Sequence, residues 1–200
     1  MATIASIVEG HGEVEAVPIL IRRIVGQVSP EMTIDVPRPI RMPRSKLERP
    51  QELERNIELA ISTAQPPYAV LVLADSDDAC PATLGPELLT RAQQYRSDVR
   101  MAVVLAKHEY ESWFLAAAES LRGIRQLSAT MSAPAAPEDV AGAKEWIRRQ
   151  MPANRTYSET LDQPALTARF DMDLARRADS FDKLYRDVER LIHELANVGT

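Results

Sequence analysis

Tyr68–Ala74 reads YAVLVLA and closes with Asp75-Ser76-Asp77-Asp78, and this stretch decides the fold. It is apolar at nearly every position, the pattern of a strand buried on both faces in a parallel sheet. Arg100–Ala106 (RMAVVLA) repeats the pattern. Thr3–Val8 (TIASIV) is a shorter version that ends at Glu9-Gly10-His11-Gly12, a strand-then-turn signal. Between these runs the period becomes helical. Val14, Val17, Leu20, Ile21, Ile24 and Val25 fall on one stripe, as do Leu53, Ile57, Ala60, Ile61 and Ala64 over Arg49–Gln65. Pro86–Tyr95 and Glu109–Leu121 read as helices, and Thr33–Ile40 as a strand that Pro37 and Pro39 push to an edge. The alternation predicts an α/β fold, a parallel sheet with right-handed crossovers flanked by helices.

Beyond about residue 121 the pattern changes. Ser128–Pro137 is a loop rich in Ala, Pro and Ser, followed by helical segments alone: Val140–Gln150, Ala165–Phe170 and Phe181–Ala196. The expected organisation is a core over 1–125 and a helical C-terminal extension over 126–200, packed as one compact unit. A length of 200 residues suits that size. The single cysteine, Cys80, excludes an internal disulfide, and the acids before it disfavour a thiolate. His11, His108 and His193 with one cysteine argue against a four-ligand zinc site. The net charge of −5 confines any nucleic-acid contact to a local patch. No apolar run approaches the roughly 20 residues of a membrane helix, and Met1–Gly10 lacks a signal-peptide pattern. The expectation is a cytoplasmic protein with no membrane contact.

Ligands of an open parallel sheet bind outside the carboxyl ends of its strands. Three strands here run into acids: Glu9 with Glu13 one turn on, then Asp75, Asp77 and Asp78, then Glu109 and Glu111. Gathered at one edge they repel one another or stay protonated. A hard divalent cation with oxygen ligands removes that penalty. For any one such acid the plain alternative is a solvated loop residue. Competing motifs fail: Gly10-His11-Gly12 meets Glu15 where G-x-G-x-x-G needs glycine, and His108-Glu109 meets Ser112 where H-E-x-x-H needs histidine.

The set Val8-Glu9-Gly10 with Glu13, followed by Ala74-Asp75-Ser76-Asp77-Asp78, resembles the Toprim domain of topoisomerases, primases and OLD-family nucleases. It is most similar to a family of small stand-alone Toprim-like proteins of unknown function. Lys107–Leu115, Ala143–Trp146 and the tail around Tyr157, Leu161-Asp162, Phe170-Asp171 and Ser180-Phe181 share the likeness. The resemblance implies a Toprim-like fold, a Mg²⁺ or Mn²⁺ site and phosphodiester chemistry, in antiphage defence beside an ATPase partner. It implies that Glu9 is the general acid/base and that Asp75 and Asp77 bind the metal. Ala79 stands where the longer Asp-x-Asp-x-Asp pattern has its third acid, and no strand-passage tyrosine is assigned.

Arg38, Arg41, Arg44, Lys46 and Arg49, broken by Pro39 and Pro43, form a flexible basic segment suited to phosphates, or else a solvated connection. Lys144 is a further phosphate-binding cation, or a solvated lysine. His11 assists proton transfer, or is a turn residue. Arg22-Arg23 reads as the polar face of the first helix, and Trp113, Phe114 and Leu115 as core. The combined expectation is metal-dependent cleavage of DNA or RNA. Glu9, Glu13 and His11 are its catalytic candidates, and Glu9, Asp75, Asp77, Asp78, Glu109 and Glu111 its metal candidates. Its rival is a non-catalytic regulatory subunit of an ATPase system. A phosphoryl transferase acting on a small nucleotide is the third reading, and a homodimer is the other assembly considered.

Overall fold

The computed structural model describes residues 1–197, so the last three residues of the expected extension lie outside the described ones. Strand β1 (Ala2–Val8) leads into helix α1 (Glu13–Val28) and then two short strands, β2 (Ile34–Asp35) and β3 (Ile40–Arg41). Next come α2 (Arg44–Leu47), α3 (Glu52–Ser62), β4 (Tyr68–Asp75), α4 (Pro81–Tyr95) and β5 (Arg100–Ala106). The rest is helical: α5 (Ser112–Ala116), α6 (Ala143–Arg149), α7 (Glu159–Thr167), α8 (Met172–Ala175) and α9 (Asp179–Ala196).

The strands form one parallel sheet in the order β2-β1-β4-β5, with β3 also pairing to β1. This is the α/β class expected from the sequence. Two-sided burial explains why the strands are apolar throughout. Ala69, Leu71 and Leu73 enter one core with Leu20 and Ile24 of α1, while Val70, Val72 and Ala74 enter the other with Leu53 of α3 and Leu88 of α4. The extension joins the first core through Ile147, Leu166, Phe170, Phe181 and Leu191.

The helices on opposite faces locate the crevice. From β1 the chain runs over one face to β2 and β3, then returns under the other face to β4 on the far side of β1. The connections diverge between β1 and β4, and such a switch point opens a ligand crevice at the strands' carboxyl ends.

Several expectations are corrected. The strand over Thr33–Ile40 divides into two short bridges, because Pro37 and Pro39 have no N–H to donate to the ladder. The basic segment is no flexible loop, since Arg44 and Lys46 lie in α2. The helix expected over Glu109–Leu121 starts after both glutamates, and the one expected at Ala165 starts at Glu159. Arg22 is exposed on the polar face of α1, as read, whereas Arg23 is half-buried and an anchor. Arg23 donates to the carbonyls of Thr167 and Phe170, both at 2.7 Å, and Arg22 to that of Val36 at 2.9 Å.

Trp113 and Phe114 are core, as read. Trp113 packs on Phe181 with ring centroids 5.3 Å apart, and its Nε1 donates to Ser180 Oγ at 2.8 Å. Ser180 Oγ donates to Glu138, which also accepts from the backbone N–H of Asp179 and Ser180 and so caps α9. Among the described residues no helix is long and apolar enough to cross a membrane.

Candidate functional site at the sheet switch point

The turn after β1 is folded by its own acid. Glu13, at the start of α1, accepts the backbone N–H groups of Glu9 (3.0 Å) and Gly10 (3.3 Å) through Oε2. Its carboxyl is buried, and burial pushes its pKa from 4.5 up to about 7, against the pull of those two N–H groups. Glu9 reaches across the crevice, and its Oε2 accepts the N–H of Asp75 at 3.2 Å. Burial raises its pKa, and the charge of Asp77 adds to the rise. The Asp75 carboxyl accepts the N–H of Tyr110 at 2.8 Å and is held well above its usual range by burial, then by Glu13 and Glu111.

Glu111 is fully buried, with its pKa pushed up to about 7 by desolvation. Tyr157 and Gln163 Nε2 donate to its Oε1 at 2.8 Å and 3.2 Å, while Oε2 has no hydrogen-bond partner. Lys144 is the nearby cation, with Nζ 3.0 Å from Glu159, 3.7 Å from Glu109 and 4.0 Å from Glu111. Burial draws its pKa down, but the acids around it, Glu111 foremost, outweigh that and hold it above the ordinary lysine value.

Glu9, His11, Glu13, Asp75, Arg41 and Lys144 line one cleft of about 220 Å³, together with Glu159 and Gln163. Other candidates fall outside it. Asp77 and Asp78 are exposed on the turn after β4, where Asp77 takes a left-handed φ of 49°. Glu109 accepts the N–H of Lys144 at 3.0 Å and so holds the start of α6. Arg38 pairs with Glu15 at 2.9 Å, Lys46 with Glu52 at 3.8 Å, and Arg44 donates to Glu48 and to the Asp75 carbonyl. Arg44 therefore braces the end of β4, while Arg41 is exposed at the cleft. Cys80 is exposed at the start of α4, and its thiol lies below the usual range because Thr83 hydrogen-bonds it, contrary to the expectation drawn from the acidic run.

The sequence reading gave no role to Tyr157, Glu159 or Gln163, which wall the cleft from the extension. One signal was present. Gly12 was read as a turn glycine, but a Cβ there would lie 2.5 Å from the Glu159 carbonyl, so α7 demands a residue without one.

The acids offer only hard oxygen donors, the type Mg²⁺ and Mn²⁺ take. They lie near enough to raise one another's pKa, although among the described residues no three His, Cys, Asp or Glu side chains are gathered as a ligating group. The Oε2 of buried Glu111, which has no hydrogen bond and only Lys144 at 4.0 Å, could accept from the water shell of such a cation.

Fold and site together define a parallel-sheet α/β protein with a buried acidic cleft at its switch point. The model of a family described as a domain of unknown function (DUF4276) matches residues 8–189, and the chain belongs to that family. No curated protein and no solved structure matches it.

Proposed function

We propose that the cleft cleaves phosphodiester bonds in nucleic acid with the help of Mg²⁺ or Mn²⁺. The observation that carries this reading is the sorting of charge: Glu13 is buried and Asp75 half-buried in the cleft that Arg41, His11 and Lys144 also line, with Glu111 buried within 4.0 Å of Lys144. Phosphate is drawn to Arg41 and Lys144 but repelled by uncompensated carboxylates, so substrate and acids need a shared counter-charge. Asp75 and Glu13 would hold the cation directly and Glu111 through its water, with Glu9 beside them. When bound, a divalent cation polarises the phosphate and lowers the pKa of an attacking water. Glu9 is suited to moving the proton, because burial lifts its pKa toward neutrality and Asp75 N–H fixes one of its oxygens. Arg41 and Lys144 orient the phosphate oxygens. The Toprim resemblance supports these roles for Glu9 and Asp75; it implies Asp77 as a second metal ligand too, but Asp77 is exposed on the turn after β4, outside the cleft. On the same resemblance we place the protein in antiphage defence beside an ATPase, and on the N-terminal sequence pattern in the cytoplasm.

The test is incubation of the purified chain with single- and double-stranded DNA and RNA in Mn²⁺, alongside calorimetric titration of the metal. Cleavage by wild type is expected. Asp75→Asn should weaken Mn²⁺ binding, and Glu9→Gln should slow turnover by about 10²–10⁴-fold without rescue by excess metal. Mn²⁺ binding with no cleavage of any of the four substrates would favour the interaction-subunit reading instead.

A further inference from the structure

Gln163, on α7, is only 3% exposed, yet it lines the cleft. Its place is fixed from behind: the neighbouring Asp162 accepts from Arg125 at 2.8 Å, from the Ser158 N–H at 2.9 Å and from Arg155. Its amide has a fixed sense as well. Its NH₂ donates to Glu111 Oε1, which leaves the amide oxygen of Gln163 turned away from that carboxyl. The Gln163 Oε1 has no hydrogen-bond partner, and neither has Glu111 Oε2, where Lys144 Nζ stands 4.0 Å off, beyond hydrogen-bond reach. Gly12 leaves the amide oxygen its space, since a Cβ there would come within 2.2 Å of it.

Buried polar oxygens in folded proteins are nearly always paired. Here two lie unpaired on side chains that are hydrogen-bonded to each other at the wall of a cleft. With Glu111 ionised, as a cation beside it requires, both are acceptors, and a donor satisfies them both. The water shell of a hard cation is such a donor, and its other neighbours would be the acids already described.

We propose that Gln163 is a positioning residue of the cation site, with its Oε1 and Glu111 Oε2 accepting from water on a bound divalent cation. The inference rests on the metal reading above. The experiment is calorimetric titration of Mn²⁺ into wild type, Gln163→Met and Gln163→Glu, with the melting temperature of each metal-free protein measured alongside. Met keeps the length of the side chain but removes the acceptor, and should weaken Mn²⁺ binding about 10-fold or more, the scale for groups that orient metal ligands. Glu adds a charge at the same oxygen and should tighten it. A merely structural glutamine would change the melting temperature and leave the Mn²⁺ affinity alone, and that result overturns the proposal. If the Met variant fails to fold, the Glu variant decides: tighter binding supports the proposal, and equal or weaker binding overturns it. A wild type that binds no Mn²⁺ overturns the metal reading itself, an outcome distinct from unchanged binding in the variants.

Discussion

Glu138 and Glu111 are both buried carboxylates placed where the extension meets the sheet, yet their hydrogen bonds are completed differently. Glu138 uses both oxygens, accepting from Asp179 N–H, Ser180 N–H and Ser180 Oγ, within a network that continues to Trp113. Glu111 accepts two hydrogen bonds on one oxygen and none on the other, which has only Lys144 at 4.0 Å. Complete networks fix a fold, and an incomplete one carries a standing cost that a ligand can lift. The same physical ingredient therefore acts as a fastener at the start of α9 and as a receptor in the cleft.

The largest effect expected is at the fastener. Glu138→Ala strips two backbone N–H groups and a hydroxyl of their acceptor and should cost about 3 kcal/mol, at 1–3 kcal/mol for each buried group left unpaired. The fall in urea midpoint measures it, and a change near zero would erase the contrast. Glu111→Gln should act in the opposite direction. The Glu111 carboxyl titrates at about 7 when folded, against an ordinary 4.5, so the folded state binds the extra proton. Metal-free stability should therefore fall as pH rises from about 5 through 7, by up to about 3 kcal/mol for this group. Glutamine keeps an acceptor for Tyr157 and carries no charge. In chelator at pH 8 the variant should match or exceed the wild type's stability, and at pH 5 the advantage should vanish. A pH-independent difference would mean that Glu111 ionises without penalty. The smallest effect separates two arginines. Arg41→Ala should reduce the salt slope of nucleic-acid binding by about one. Arg44→Ala should leave the slope alone and lower stability, because Arg44 is spent on Glu48 and the Asp75 carbonyl.

Much of the sheet was legible because parallel strands buried on both faces leave apolar runs that no other element of that length produces. Tyr68, Arg100 and Ala106 are element boundaries in both the reading and the structure, and Asp75 pairs level with Ala106 at the ladder's end. The acids of the crevice followed from strand direction alone. The helix limits did not, because Glu109, Glu111 and Gln51 sit in turns whose geometry depends on tertiary partners. Gln51, for example, holds a left-handed φ of 65° before α3. Tyr157 and Gln163 were illegible as site residues, because nothing in local periodicity says that a helix late in the chain lies over a glycine near its beginning. The arginines were over-read. Charge spacing cannot tell Arg41, which faces the cleft, from Arg23, which is bound to two backbone carbonyls.

The close seat of α7 on Gly12 has a consequence for the order of events during synthesis. Glu9, Glu13 and Asp75 leave the ribosome well before Lys144, Tyr157 and Gln163, so a growing chain carries the acids without the wall that encloses them. The cleft takes shape only when the late helices dock. Until then a half-made chain presents carboxylates open to water, and competence of the site is tied to the synthesis and docking of α7.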